Sequence, residues 1–365
     1  MKIFHHNDAD GRLSAFLLWR VFRTPSNNYN LNESDVIEVD YENPFPLDII
    51  KKDELVFVVD YSFSKYTYDT LKKMIDKTKY VVWIDHHKDF VDLENEYLWT
   101  RNILGLRKAN ITGSEIQKIK FSGAALVYIW LYGLKFCDLI EKYRHAIDPE
   151  YELKDSIANS TFLYFVRQTP LSKFHFGYEN YKPQTAAVTQ RLINMIKYVS
   201  DYDTFSNTYK DIKDFYYGIN YMDQSPTSED SVWVTKTVTD VKFAGVQNRA
   251  IIEKEMETYL EHYGFITEVN GIRCLAVNRA SNSFIFDSIE DIDEKFPLRM
   301  VFYTKGTDTM KVTFFGGENA SARDAAMSFG GGGHPGAAGC QIPMKDWNFK
   351  CIERYKTYLE RTRES

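Results

Sequence analysis

The chain has 365 residues, of which 44% are hydrophobic, and its formal net charge is −6. This length exceeds what one core usually organises, so we expect two domains. The acidic charge and the lack of any Lys/Arg run exclude a surface built to grip long duplex nucleic acid, and no apolar run approaches the roughly 18 residues that a membrane span requires.

The N-terminus and the cysteines bear on localisation. The first ten residues lack the basic and then apolar pattern of a secretory signal. The four cysteines show no CxxC spacing, which is typical of a reducing compartment; they are Cys137, Cys274, Cys340 and Cys351. We therefore predict a cytoplasmic protein with no membrane partner. For the oligomeric state we expect either a monomer or a homodimer.

Strands and helices alternate in the first quarter of the chain. The predicted strands are 1–4, 36–40, 55–59 and 80–84, and the predicted helices are 11–22 and 64–77, the second with Ser64 as its N-cap. Elements that alternate at this spacing are typical of a parallel sheet covered on both faces. We therefore predict an α/β N-terminal lobe with a mainly parallel sheet flanked by helices.

The rest of the chain has a less regular pattern. We predict helices at 122–134, 157–166, 185–199, 245–263 and 321–329, and strands at 272–278, 298–303 and 310–315. The helix at 185–199 ends before an acidic cluster, Ser200 to Asp203. The segments 88–120 and 203–235 carry little regular signal, and we expect them to be irregular. The later strands and helices predict a smaller α/β C-terminal lobe.

Three predicted strands end in acidic or imidazole groups. The first runs into His6-Asn7-Asp8-Ala9-Asp10, the third into Asp60, and the fourth into Asp85-His86-His87. Ligands collect at the carboxyl ends of parallel strands, so these groups should converge. A single such residue is usually a turn former or a helix cap, but agreement among three strand ends favours a site.

The residue types of these strand ends are metal ligands. Carboxylates alone suit Mg²⁺ or Mn²⁺, and added imidazole favours Mn²⁺, Fe²⁺, Co²⁺ or Zn²⁺. A mixed Asp/His set therefore favours manganese, with enough ligands for two divalent ions about 4 Å apart, a spacing typical of phosphoryl displacement. Asp201 and Asp203 are either further ligands or a cap between helix and loop.

A glycine run near the C-terminus ends in His334. Glycine backbone can approach a ligand closely, whereas the alternative is a flexible linker. The small residues after Gly336 could begin a helix. Arg323 and Arg279 are either phosphate contacts or surface charges.

Taken in order, these motifs resemble those of the DHH phosphoesterase family. The motifs are His6 to Gly11, Asp60, Asp85 to His87, Ser200 to Asp203, and a glycine–histidine motif, Gly331 to Gly339, of the first subtype of DHH-associated domain. The resemblance implies a catalytic domain at 1–205, a connecting region and linker helix at 206–262, and a substrate-binding domain at 263–365 across a cleft. The histidine that opens the first motif resembles the oligoribonuclease and nanoRNase branch more than the DNA exonucleases.

The resemblance also implies residue roles. His6, Asp8 and Asp60 would hold one metal ion, and Asp10, Asp60, His86 and Asp201 the other, with Asp60 as the bridge. Asp203 is the rival of Asp201, and Asp85 would orient a histidine rather than bind metal. His87 would contact the scissile phosphate. The far end of the substrate would be held by Gly331, Gly332, Gly333 and His334, and less directly by Arg323 and Arg279.

The resulting hypothesis is a manganese-dependent phosphodiesterase. It would hydrolyse short RNA or linear dinucleotides to mononucleotides through a hydroxide activated by two metal ions, with His87 and Asp60 as catalytic residues. One alternative is hydrolysis of 3′-phosphoadenosine-5′-phosphate or of cyclic nucleotide signals. Another is a nucleotide sensor without catalytic activity, although each candidate ligand is present. The segments 88–120 and 203–235 would tune substrate choice.

Overall fold

The computed structural model describes residues 1–23, 31–41, 43–63, 67–78, 80–87, 122–128, 131, 186–204, 206 and 208–363. The chain divides into two compact units, Met1–Val246 and Gln247–Ser365. The division falls inside a long helix, and the predicted domain limits at 205 and 262 remain a prediction. Ser64, the segment 88–120, the predicted helix at 157–166 and Cys137 lie outside the described residues.

The N-terminal unit is built on a parallel sheet, as predicted. Its strands are β1 (Lys2–His6), β2 (Val36–Val39), β3 (Leu55–Val59) and β4 (Tyr80–Ile84). All pairings are parallel, and the order across the sheet is β2-β1-β3-β4. The carboxyl ends of these strands therefore lie along one edge, where the polar residues of the motifs follow.

Helices cover both faces of this sheet. Helix α1 (Ala9–Phe22) packs in a cluster with Phe57 and Val59, whereas α2 (Tyr68–Lys77) packs in another cluster with Val56 and Val58. Successive residues of β3 thus point to opposite faces, as an extended backbone requires. All residues of β3 are buried, which explains its uninterrupted apolar sequence.

Two predictions about the middle of the chain are wrong. Helix α3 (Ala186–Asp203) does not end at residue 199 but continues through the acidic cluster. The segment 203–235 contains helices α4 (Ile212–Ile219) and α5 (Val232–Thr235). The apolar residues Ile212, Phe215 and Ile219 have helical spacing and are buried, but the tyrosines and polar residues between them obscure the period. Residues 123–128 are helical, within the predicted helix at 122–134.

The long helix α6 (Val238–Tyr263) begins earlier than predicted and leads into the C-terminal unit. A seven-stranded mixed sheet follows, with strands β5 (Phe265–Val269), β6 (Ile272–Asn278), β7 (Leu298–Lys305), β8 (Thr309–Phe315), β9 (Gly332–Gly333), β10 (Ala337–Pro343) and β11 (Glu353–Arg354). The order across this sheet is β11-β5-β6-β7-β8-β10-β9. Its helices are α7 (Ile292–Lys295), α8 (Ala322–Met327) and α9 (Tyr355–Arg363). This confirms the second α/β lobe.

The glycine run differs from its prediction. The residues after Gly336 do not begin a helix: β10 pairs antiparallel with both β8 and β9. Short 3₁₀ segments lie at Glu33–Asp35, Leu47–Ile49, Ser283–Phe286 and Met344–Asp346. Among the described helices, none is long and apolar enough to cross a membrane.

Candidate metal centre

His6 and Asp8 form the link between β1 and α1. Asp8 is the N-cap of α1, and its Oδ1 atom accepts a hydrogen bond of 2.9 Å from the backbone N–H of Gly11. Its Oδ2 atom lies 2.6 Å from Nδ1 of His6. A Cβ atom on Gly11 would collide with the backbone of His6, so glycine allows the helix to begin this close to the strand.

Asp10 is buried in the first turn of α1. Its Oδ2 atom accepts a hydrogen bond of 2.6 Å from the backbone N–H of Gly123, and its Oδ1 atom accepts one of 3.0 Å from that of Ala124. These N–H groups belong to the first turn of the 123–128 helix, where backbone donors lack partners within the helix. Asp10 therefore joins two helix starts at the predicted site.

Asp60 lies directly after β3 in a left-handed backbone conformation, with φ of 54°. Aspartate tolerates this conformation better than most residues. The side chain is fully buried, and neither carboxylate oxygen accepts a hydrogen bond from the residues that the structure describes. Burial, together with the nearby carboxylates of Asp10 and Asp8, raises the pKa of Asp60 well above its ordinary value.

Asp85, which follows β4, holds His87. Its Oδ1 atom accepts hydrogen bonds from the backbone N–H groups of His86 at 2.8 Å and His87 at 3.3 Å, and lies 2.6 Å from Nδ1 of His87. Burial by itself would raise the pKa of Asp85, but the charge and hydrogen bonds of His87 lower it below its ordinary value. Asp85 thus contacts the ring of His87, and its role in orienting that ring stays a prediction.

His86 points its Nε2 atom at three carboxylates. That atom lies 3.1 Å from Oδ2 of Asp203, 3.3 Å from Oδ1 of Asp60 and 4.0 Å from Oδ2 of Asp10. Burial by itself would lower the pKa of His86, but the nearby carboxylates of Asp203 and Asp60 outweigh this effect and raise the pKa well above its ordinary value. Burial and the charge of Asp203 raise the pKa of Asp10 to about 7.

The carboxylate of Asp203 lies beside His86 in this cluster, whereas the carboxylate of Asp201 does not. Both residues lie in the last turn of α3, but Asp201 is fully buried and turned to the chain that follows. Its Oδ1 atom accepts a hydrogen bond of 2.8 Å from the backbone N–H of Thr208, and its Oδ2 atom accepts one of 3.2 Å from that of Tyr209. The geometry therefore favours Asp203 over Asp201 as a metal ligand.

The ligand atoms come together in overlapping sets. Within the described part of the N-terminal unit, such atoms lie within 4.8 Å of one another in His6, Asp8 and Asp60, in Asp10, His86 and Asp203, and in Asp60, Asp85, His86 and His87. The first set is the one that the family resemblance implies for one metal ion. Buried carboxylates without hydrogen-bond donors, close to other carboxylates, need a compensating positive charge. The donor set therefore fits divalent cations.

Gly123 was missed by the sequence interpretation. A Cβ atom at this position would lie 2.8 Å from Cβ of Asp60 and 2.9 Å from Oδ2 of Asp10. Glycine thus allows the 123–128 helix to approach the carboxylates closely. In the sequence, Gly123 is a glycine directly after Ser122 at the start of a predicted helix. That position alone does not indicate a close contact with the carboxylates.

The predicted substrate-binding residues lie in the C-terminal unit. Gly331, Gly332 and Gly333 lead into and form β9; Gly333 has φ of 136°, and a Cβ atom there would lie 2.7 Å from Cα of Ala338. The backbone N–H of His334 donates to the carbonyl oxygen of Ala337 at 2.8 Å. The glycine run is thus an ordered hairpin, not a linker.

The two arginines of the prediction have protein partners. Nη1 of Arg323 donates to the carbonyl oxygen of Gly333 at 2.7 Å, which ties α8 to the glycine hairpin. Nη2 of Arg279 donates to Oε1 of Glu255 at 2.6 Å. Their substrate contacts stay a prediction.

Comparison with known proteins gives one family match. Residues 1–158 match the model described as DHH family, N-terminal domain. No curated protein matches the chain.

Solved structures resemble the chain at low identity. They include the pGpG-specific phosphodiesterase PggH from Vibrio cholerae, at 12% identity over 99% of this chain and 96% of that one, with a TM-score of 0.36. RecJ in complex with Mn²⁺ from Thermus thermophilus has 15% identity over 99% of this chain and 52% of that one, with a TM-score of 0.44. An exopolyphosphatase-related protein from Bacteroides fragilis has 12% identity over 99% of this chain and 90% of that one, with a TM-score of 0.40. At these values the structural similarity carries no further conclusion.

Proposed function

We propose, from the match of residues 1–158 to the N-terminal domain of the DHH family, that the chain is a phosphodiesterase for short RNA or linear dinucleotides. A phosphoesterase activity is consistent with the match to this family. The substrate class, manganese and the oligoribonuclease branch are parts of the proposal, supported by the motif set and by the absence of any Lys/Arg run. Mononucleotides would be the product.

The position of Asp60 is the observation that carries the proposal. Its buried carboxylate belongs both to the set with His6 and Asp8 and to the set with Asp85, His86 and His87. We propose that His6, Asp8 and Asp60 hold one divalent ion and that Asp10, His86, Asp203 and Asp60 hold the other. When bound, such ions supply positive charge to a phosphoryl group and activate water.

The chain's own residues would position the substrate phosphate. Asp85 holds Nδ1 of His87, so Nε2 is the ring nitrogen proposed to donate to a phosphate oxygen. The backbone N–H groups of Gly123 and Ala124 hold Asp10 in place within the site. Such preorganised groups need little rearrangement when charge develops on the phosphate.

The test is hydrolysis of end-labelled RNA two to five nucleotides long, with Mn²⁺ present. We expect mononucleotide products from the unmodified protein and none from Asp60→Ala. Asp53→Ala is the matched control, because Asp53 is exposed and shares the left-handed backbone of Asp60, with φ of 57°. Full activity of Asp60→Ala would overturn the metal-site proposal. A protein that releases no mononucleotide from RNA of any length, but hydrolyses 3′-phosphoadenosine-5′-phosphate or a cyclic dinucleotide in a parallel assay, would overturn the substrate proposal.

A further inference from the structure

An aromatic side chain with no role in the proposed chemistry lies beside the metal centre. Tyr41 follows β2, and its ring centroid is 5.1 Å from that of His6. Tyr41 as a residue is 50% exposed, although Tyr61 and Phe63 in the same aromatic cluster are buried. An exposed aromatic residue therefore lies next to a proposed metal ligand.

Tyr41 is held in one orientation. Its ring stacks on that of Tyr61 at a centroid distance of 4.7 Å and an interplanar angle of 15°. Its hydroxyl oxygen accepts a hydrogen bond of 2.9 Å from the backbone N–H of Ser62, which lies just after Asp60. The ring is thus anchored both at its face and at its polar end.

The support beneath Tyr41 is rigid. Tyr61 packs edge-on against Phe63, and its carbonyl oxygen accepts a hydrogen bond of 2.9 Å from Nε1 of Trp83. Phe63 and Trp83 are buried and pack against each other at a centroid distance of 5.3 Å. Trp83 lies in β4, and Tyr61 and Phe63 lie two and four residues after the end of β3, in the segments that follow the strands leading to Asp60 and Asp85.

We propose that the ring of Tyr41 stacks against a nucleobase adjoining the scissile phosphate. The inference rests on the proposed function and deepens it, since it assigns a base-recognition residue to the N-terminal unit. Every nucleobase has an apolar π-face, so a preorganised aromatic ring binds bases with little sequence preference. A phosphate held near His6 would bring its attached nucleoside alongside this ring.

The experiment compares Tyr41→Phe with Tyr41→Leu on three substrates. One is the dinucleotide pApA, and the other two are forms of the same dinucleotide that each lack one of its two bases. Turnover is measured with Mn²⁺, and equilibrium binding is measured by calorimetry. Tyr41→Phe keeps the ring, so it tests stacking without the hydroxyl, and circular dichroism with thermal melting checks that both variants fold.

We expect Tyr41→Leu to raise KM and the dissociation constant for pApA about tenfold, with kcat within about twofold, as base stacking predicts. Tyr41→Phe, which keeps the stacking ring but loses the hydroxyl that accepts from Ser62, should weaken pApA binding much less than Tyr41→Leu. One abasic form should be insensitive to Tyr41→Leu, which identifies the stacked base.

Equal weakening of all three substrates, or no weakening, would overturn the stacking inference. If the unmodified protein shows no turnover but Tyr41→Leu still weakens pApA binding selectively, the proposed function fails and the stacking inference stands.

Discussion

The Nε2 atom of His86 lies 3.1 Å from the Oδ2 atom of Asp203, so the end of β4 meets the end of α3 at the candidate metal centre. Asp203 completes a set with Asp10 and His86, while Asp201, two residues earlier, bonds to the backbone of Thr208 and Tyr209. Two carboxylates of one helical turn thus make separate contacts.

The first prediction distinguishes a structural role of Asp201 from a metal-binding role of Asp203. Asp201→Ala leaves two backbone N–H groups without their acceptor, at a cost of about 1–3 kcal/mol for each that stays buried. Its free energy of unfolding should fall by that order in urea titrations, whereas Asp203→Ala should change it little. Conversely, Mn²⁺ should raise the Tm of Asp201→Ala but raise that of Asp203→Ala much less. The opposite pattern would return the ligand role to Asp201.

The second prediction concerns the charge of Asp60. Asn keeps the size of the side chain and tolerates the left-handed backbone, but it carries no buried charge. Without metal, Asp60→Asn should therefore have a higher Tm than the unmodified protein. Saturating Mn²⁺ should raise the Tm of the unmodified protein, by mass action equivalent to about 2.7 kcal/mol at 100 times the dissociation constant.

For Asp60→Asn this rise should vanish, and activity should fall more than about 100-fold, beyond the usual effect of groups that merely orient a ligand. Asp53→Asn serves as the control for the backbone conformation. An unchanged response to Mn²⁺ in Asp60→Asn would exclude Asp60 as a ligand.

The third prediction uses the space at Gly123. In Gly123→Ala the new methyl group would crowd Cβ of Asp60 and Oδ2 of Asp10, at 2.8 and 2.9 Å. We expect a weaker Mn²⁺ response and at least tenfold lower activity, because displaced carboxylates no longer meet their partners. Circular dichroism should show unchanged helix content. If Mn²⁺ binding by calorimetry matched that of the unmodified protein, the close approach of this helix would have no functional role.

The fourth prediction treats Asp85 as a positioning residue. In Asp85→Asn, the side-chain oxygen should still accept hydrogen bonds from the backbone N–H groups of His86 and His87, but the negative charge beside the His87 ring is lost. We expect kcat to fall about 10- to 100-fold with KM little changed, the range for groups that orient a ligand or catalytic histidine. The rise of Tm with Mn²⁺ should persist. Loss of that rise would instead make Asp85 a direct metal ligand.

Much of the N-terminal fold could be predicted from local sequence. The apolar runs at 55–59 and 80–84 mark strands, of which residues 55–59 and 81–84 are buried, and the polar residues after them mark the edge of the sheet. The convergence of these residues could be proposed because a parallel sheet brings its strand ends together, whereas the grouping of His6, Asp8 and Asp60 as one ligand set came from the family resemblance. Local periodicity failed at α4, and it failed at β10, where small residues next to glycine are compatible with either a helix or a strand.

The sequence by itself determined which residue types stand at the strand ends, since these depend on spacing along short segments. Only the tertiary structure distinguishes the surroundings of Asp201 and Asp203, because it places the carboxylate of Asp203 beside His86 and that of Asp201 against the backbone of Thr208 and Tyr209. It also placed Gly123 against Asp10, at a separation of 113 positions. Contacts at such distances along the chain depend on how whole elements pack, and no local pattern encodes them.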